Sequence, residues 1–121
     1  MYVRPNGRNE FLDFLEGLPQ KDKNKLLTII DQIQSYAYGL LISQKMEWVK
    51  RLDSEIFEIR SKVSSNIQRA LYFHVVGDRY IITHGFTKKT QKTPKSEIQH
   101  AKQLKIEFEE REKKKNDNRE I

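Results

Sequence analysis

Arg69-Ala70-Leu71-Tyr72-Phe73-His74-Val75-Val76, then Gly77-Asp78, then Arg79-Tyr80-Ile81-Ile82-Thr83-His84: two apolar runs joined by a glycine–aspartate pair decide the fold. Glycine adopts the positive φ that a two-residue hairpin turn requires, so this stretch spells a tight antiparallel hairpin. Upstream, Ser54 to Val63 reads as a further strand, with Phe57 and Ile59 on one face and Ile56, Glu58 and Arg60 on the other. Ser64-Ser65-Asn66 supplies turn chemistry between the two. The three runs predict an antiparallel meander.

Outward from the meander, helical signals dominate. Asn9 precedes Phe11, Leu12, Phe14 and Leu15, which share one face of a short helix that Gly17-Leu18-Pro19 stops. A longer helix carries Leu26, Leu27, Ile29, Ile30, Ile33 and Ala37 at helical spacing, with Gly39 as its C-terminal stop. Lys21, Lys23, Lys25 and Asp31 read as its solvated face. Residues 40–54 show no clear period: Met46 to Leu52 reads as a helical turn or irregular structure, and Trp48 as a core plug beside the sheet. Thr93 and Pro94 suit an N-cap and first helical position, opening a helix that buries Ile98, Ala101, Leu104 and Phe108. Tyr2-Val3 is a candidate edge strand. The fold class is α+β: two N-terminal helices on a small antiparallel β-meander, with a C-terminal helix. Residues 1–108 form a single domain, and residues 109–121 form a charged helix end or a disordered tail.

Charge is concentrated in the same region as the strands. Residues 60–95 hold eight Lys/Arg against one acid, Asp78, a net of +7, whereas residues 1–59 sum to −1 and residues 96–121 to zero. The whole excess of +6 therefore comes from one segment, which points to a polyanionic partner. The chain of 121 residues has no cysteine, which excludes disulfides, thiolate metal sites and a cysteine nucleophile. No stretch approaches membrane-spanning length, and the N-terminus has no apolar targeting segment, so a cytoplasmic protein with no membrane partner is expected.

The remaining chemistry is cationic. No glycine-rich phosphate loop follows a strand, no acid cluster has divalent-metal spacing, and His74, His84 and His100 lack zinc-ligand spacing, so neither cofactor nor metal is expected. An array of basic residues at strand ends suits attack of an RNA 2′-hydroxyl on its own 3′-phosphate. That reaction needs a base, cations to stabilise the phosphorane, and an acid for the departing 5′-oxygen. Arg60 and Arg69 suit the second task, because guanidinium is always charged and grips phosphate in a bidentate fork. Lys88 and Lys89, crowded by other cations, are candidates to move protons, as is His84. Lys62, Lys92 and Lys95 extend the candidate RNA-binding surface, and Phe86 is placed to stack on a base. Each has a structural alternative: Arg60 pairs with Glu58 on its own strand face, Arg69 anchors a strand, His84 is a hydrogen-bonded structural residue, and Phe86 packs under the loop. His74, His100 and the lysines after Arg111 read as surface residues, and Tyr72 as core.

Four blocks, in order, resemble the phage-derived HigB-like branch of the RelE/ParE toxins. They are Phe11-x-x-Phe14-Leu15-x-x-Leu18-Pro19, Ile56-Phe57-Glu58-Ile59-Arg60, Arg69-Ala70-Leu71-Tyr72-Phe73, and His84-Gly85-Phe86-x-Lys88-Lys89-Thr90-Gln91-Lys92-Thr93-Pro94. The resemblance covers residues 4 to about 108. It implies two N-terminal helices against a small twisted antiparallel sheet. It also implies a toxin of a type II toxin–antitoxin pair, a metal-independent mRNA interferase that cuts mRNA on the translating ribosome. Its implied partner is a small antitoxin of helix-turn-helix type. By position, Arg60, Arg69, Lys88 and Lys89 match basic residues of the family's site. Glu58 departs from the pattern, standing where RelE itself has a lysine, so the identity of the base stays open between His84 and a loop lysine. The alternative implied by the same fold is a ParE-like inhibitor of DNA gyrase with no nuclease activity.

Overall fold

The computed structural model describes residues 1–35, 48–75, 79–88 and 92–119, with side chains throughout except at 34–35 and 116–119. The chain enters with α1 (Glu10–Glu16), whose Asn9 cap accepts from the Leu12 amide at 3.0 Å. That bond satisfies one of the orphan amides at a helix start. Gly17 and Pro19 separate α1 from α2 (Gln20–Ser35), which buries Leu26, Ile29, Ile30 and Ile33. Ala37, Gly39 and residues 40–47, which hold the helix stop and the first part of the region without clear period, lie outside the described residues.

Four strands follow: β1 (Val49–Arg51), β2 (Phe57–Val63), β3 (Asn66–His74) and β4 (Tyr80–Lys88), antiparallel and in sheet order β1-β2-β3-β4. The predicted meander of three is thus a sheet of four. The added edge strand β1 falls in the stretch read as a turn or irregular. There it pairs with β2 through Val49↔Ile59 and Arg51↔Phe57, and only Val49 of its three residues is buried. Strand β2 begins at Phe57 and not at Ser54, because the Asp53 carboxylate accepts from the amides of Glu55 and Ile56, both at 2.8 Å, and holds them in a turn. At the β2–β3 turn Ser64 takes φ 55°, the left-handed conformation of a two-residue hairpin. Residues 76–78, which include Gly77-Asp78, lie outside the described residues. On either side of them His74 pairs with Tyr80 and the Val75 amide donates to the Arg79 carbonyl at 3.0 Å, so the hairpin is present but three residues, not the expected two, lie between its last bonded pair. Tyr2 donates one backbone bond to Ile82, 2.9 Å long, without forming a strand.

Alternation along the strands gives the sheet two apolar faces. Ile59, Ala70, Tyr72 and Ile82 pack with Phe11, Leu15, Leu26 and Ile30 from α1 and α2, and half-buried Trp48 closes this core at its margin, as the core-plug reading expects. On the opposite face Ile56, Leu71 and Phe73 pack with Ala101 of α3 (Lys95–Arg119), flanked by Ile98 and Phe108. The expected α+β architecture is therefore observed, with helices on both faces of the sheet. Pro94, not Thr93, caps α3: its carbonyl accepts from Glu97 at 3.1 Å and Ile98 at 3.4 Å. The Thr93 side chain is engaged elsewhere.

One irregularity sets the site. Leu71 pairs with His84 but Tyr72 pairs with Ile82, so Thr83 is an extra residue in β4. Without that bulge His84 would share the face of Ile82. The extra residue turns it to the α3 face.

Candidate active site

Three cross-strand rows lie on the α3 face, where α3 begins. The outermost is Lys62↔Ile67↔Lys88, the next Arg60↔Arg69↔Phe86, and the innermost Glu58↔Leu71↔His84. Lys62 and Lys88 are exposed, as are Lys92 and Lys95 at the start of α3. The Arg60 side chain is 16% exposed. The register thus brings Arg60, Lys62 and Lys88 together on one end of one face, with Lys92 and Lys95 leading into the adjoining helix. Lys89 lies outside the described residues.

Behind this rim the charges are buried. Arg69 and Glu58 are both 0% exposed. The Glu58 Oε1 atom accepts from Arg60 Nε and lies 3.7 Å from Arg69 Nη1, while Oε2 accepts from the Thr93 hydroxyl. The Thr93 oxygen in turn accepts from Arg69 Nη1 at 2.8 Å. One carboxylate therefore serves two guanidinium groups and a hydroxyl. Burial and the neighbouring Arg60 lower the pKa of Arg69, and Glu58 opposes them; the guanidinium stays charged. The Arg60–Glu58 pairing weighed from sequence is present. Arg69, expected at the phosphate, is instead enclosed between Glu58, Thr93 and the half-buried ring of Phe86, whose centroid is 6.0 Å from the guanidinium carbon. Phe86 also lies against the His84 ring at 6.1 Å, so its face is used in packing.

His84 is 5% exposed. Its Nε2 meets Glu97 Oε2 of α3 at 2.8 Å, and its Nδ1 lies 3.1 Å from the Thr83 hydroxyl. Burial pushes its pKa below the ordinary histidine value, the Glu97 carboxylate opposes that shift, and His100 adds to it. In the neutral ring Nε2 carries the proton and donates to Glu97. His100, read from sequence as a surface residue, is half-buried: its ring meets that of His84 edge-on at 4.7 Å, and its Nε2 meets Glu10 Oε1 at 2.8 Å. His74 is exposed and Tyr72 buried, as expected.

From sequence, Glu58 is both a candidate partner of Arg60 and a departure from the family pattern, whereas Thr93 and Glu97 are missed as partners. The spacing Glu58–Arg60 signals the first, because i and i+2 on a strand share a face. Nothing local signals the other two, which are brought in by tertiary packing. Among the described residues no group of three or more His, Cys, Asp or Glu side chains is placed to hold a metal ion. No helix among them is long and apolar enough to cross a membrane. Such an arrangement can bind an anion at a cationic rim and hold that rim rigidly from behind.

Residues 13–105 match the family model described as phage derived protein Gp49-like. No curated protein matches the chain at a significant level.

Proposed function

The chain belongs to the phage-derived Gp49-like family, a toxin-like family related to the RelE/HigB-type toxins, and from that membership and the cationic rim we propose that it cleaves mRNA on translating ribosomes as the toxin of a toxin–antitoxin pair. The observation that carries the reading is the convergence of exposed Lys62 and Lys88 with Arg60 on one end of the α3 face.

The 2′-oxygen attacks phosphorus, forming a cyclic phosphate as the bond to the 5′-oxygen breaks. The 2′-hydroxyl proton leaves to a base, and the 5′-oxygen takes a proton. Arg60 faces the charge that builds on the phosphorane. Lys62, Lys88, Lys92 and Lys95 hold the flanking backbone. Proton transfer falls to the Lys88-Lys89 pair, and the ribosome orients the mRNA. Arg69 and His84, both enclosed, act here by positioning: Arg69 holds Glu58 and Thr93, and His84 holds Glu97 at the start of α3.

The test is a cell-free translation reaction with a defined mRNA. The reading predicts cleavage inside the coding region when ribosomes translate, little cleavage of the same RNA alone, and loss of cleavage in a Lys62→Ala/Lys88→Ala variant. Intact mRNA together with blocked supercoiling by purified DNA gyrase would replace it with the ParE-like reading.

A further inference from the structure

We propose that Thr93 and Glu58 are positioning residues that lock the lysine-bearing start of α3 onto the Arg60–Arg69 pair. The inference rests on the RNA-cleaving reading above and adds to it two residues that themselves touch no substrate.

Thr93 is 6% exposed and Glu58 is fully buried, so neither presents an atom to RNA. What they do is join distant parts of the chain. Through one hydroxyl, Thr93 gives a hydrogen bond to Glu58 on β2 and takes one from Arg69 on β3. Threonine commonly caps helices, yet here the capping position belongs to Pro94, so the hydroxyl is committed to the arginine network instead. Lys92 precedes Thr93 directly, and Lys95 follows two residues later. Anchoring Thr93 therefore fixes where both exposed lysines stand relative to Arg60. Glu58 completes the lock: its Oε1 holds Arg60 through Nε, which orients that guanidinium, while Oε2 holds Thr93. Without the hydroxyl, Oε2 loses a donor and Arg69 Nη1 loses an acceptor among buried groups. A buried network with one member missing rearranges, because every remaining polar group must find another partner.

The consequence is geometric. Side chains from β2, β4 and α3 are held for one phosphate in a single arrangement, and transition-state stabilisation is sensitive to such placement. Loss of the lock should therefore lower the rate of the chemical step more than the affinity for the ribosome–mRNA complex.

The experiment compares the full chain as wild type, Thr93→Val and Thr93→Ser at a temperature below all three unfolding midpoints. Valine keeps the shape and removes the hydroxyl; serine keeps the hydroxyl. Single-turnover cleavage on translating ribosomes is predicted to slow by about tenfold or more in Thr93→Val, with the half-saturating concentration changed by less than about threefold. Thr93→Ser should stay within about threefold of wild type in both. In the same samples, NMR signals of the Arg60 and Arg69 Nε–H groups should shift in Thr93→Val and be retained in Thr93→Ser. Should Thr93→Val not fold, Thr93→Ala, which removes the hydroxyl and adds no bulk, takes its place with the same expected slowing and the same shift. Equal rates in wild type and Thr93→Val, or equal losses in valine and serine variants, would overturn the proposal. If the wild type leaves mRNA intact, the nuclease reading fails separately, and the NMR arm decides the lock: unshifted arginine signals in Thr93→Val refute it.

Discussion

Arg69 owes its role to its surroundings. A guanidinium with no exposed surface cannot meet a phosphate as the protein stands, and its charge is answered inside the protein by Glu58. Removing one partner of a buried pair leaves the other charge uncompensated, which is costlier than the pair itself is favourable. Glu58→Ala is therefore expected to destabilise the fold by about 3–5 kcal/mol, read as a lowered urea midpoint at unchanged slope; a loss under about 1 kcal/mol would mean that Arg69 finds water instead. His84 gives a second residue-level expectation. Its pKa in the folded protein lies below its unfolded value of about 6.5 because burial outweighs Glu97. The unfolded chain then binds the proton more readily, so the contribution of His84 is complete above about pH 6.5 and declines as pH falls below it. Unfolding free energy measured from pH 7.5 to 5 should drop toward acid, and His84→Gln should flatten that part of the profile. The ring's other neighbours, Glu97, His100, Glu10 and Thr83, stay in place in that comparison. Both residues were visible in the sequence as members of a basic segment. Their burial was not, because an arginine or histidine on a strand is spelled the same whichever way the sheet is covered.

Elements β2, β3 and β4 were legible because period-two alternation and turn residues both marked them, and α1 and α3 because their apolar positions repeat at helical spacing. Strand β1 was not legible: three residues with one buried side chain carry no period, and their pairing with β2 is a tertiary fact. Nor was the bulge at Thr83, which turns His84 to the α3 face and so decides what it touches. The packing of α1 on β4 exposes a further constraint. A Cβ added at Gly85 would overlap the Phe14 ring and lie 2.9 Å from the Arg69 carbonyl oxygen, and that backbone atom cannot swing aside. Gly85→Ala should then separate α1 from β4 and destabilise the fold by about 1–3 kcal/mol, measurable as a fall in thermal midpoint. An unchanged midpoint would show that α1 is not held against β4 at this point.

For the whole molecule, the net +6 charge has a location. Residues 60–95 carry the excess, and folding places Arg60, Lys62 and Lys88 together with Lys92 and Lys95 beside them, while Glu58 is buried against Arg60 and Glu97 is paired with His84. If about five cations contact RNA phosphates, affinity for single-stranded RNA should fall about a hundredfold between 50 and 200 mM salt. A flat response would move the RNA surface away from this rim. The most direct test of the nuclease reading is a map of new mRNA 5′ ends in cells shortly after induction, with the Lys62→Ala/Lys88→Ala variant alongside. New ends inside translated codons with the wild type, absent with the variant, are predicted. Growth arrest with intact mRNA, or the same cuts in the variant, would contradict it.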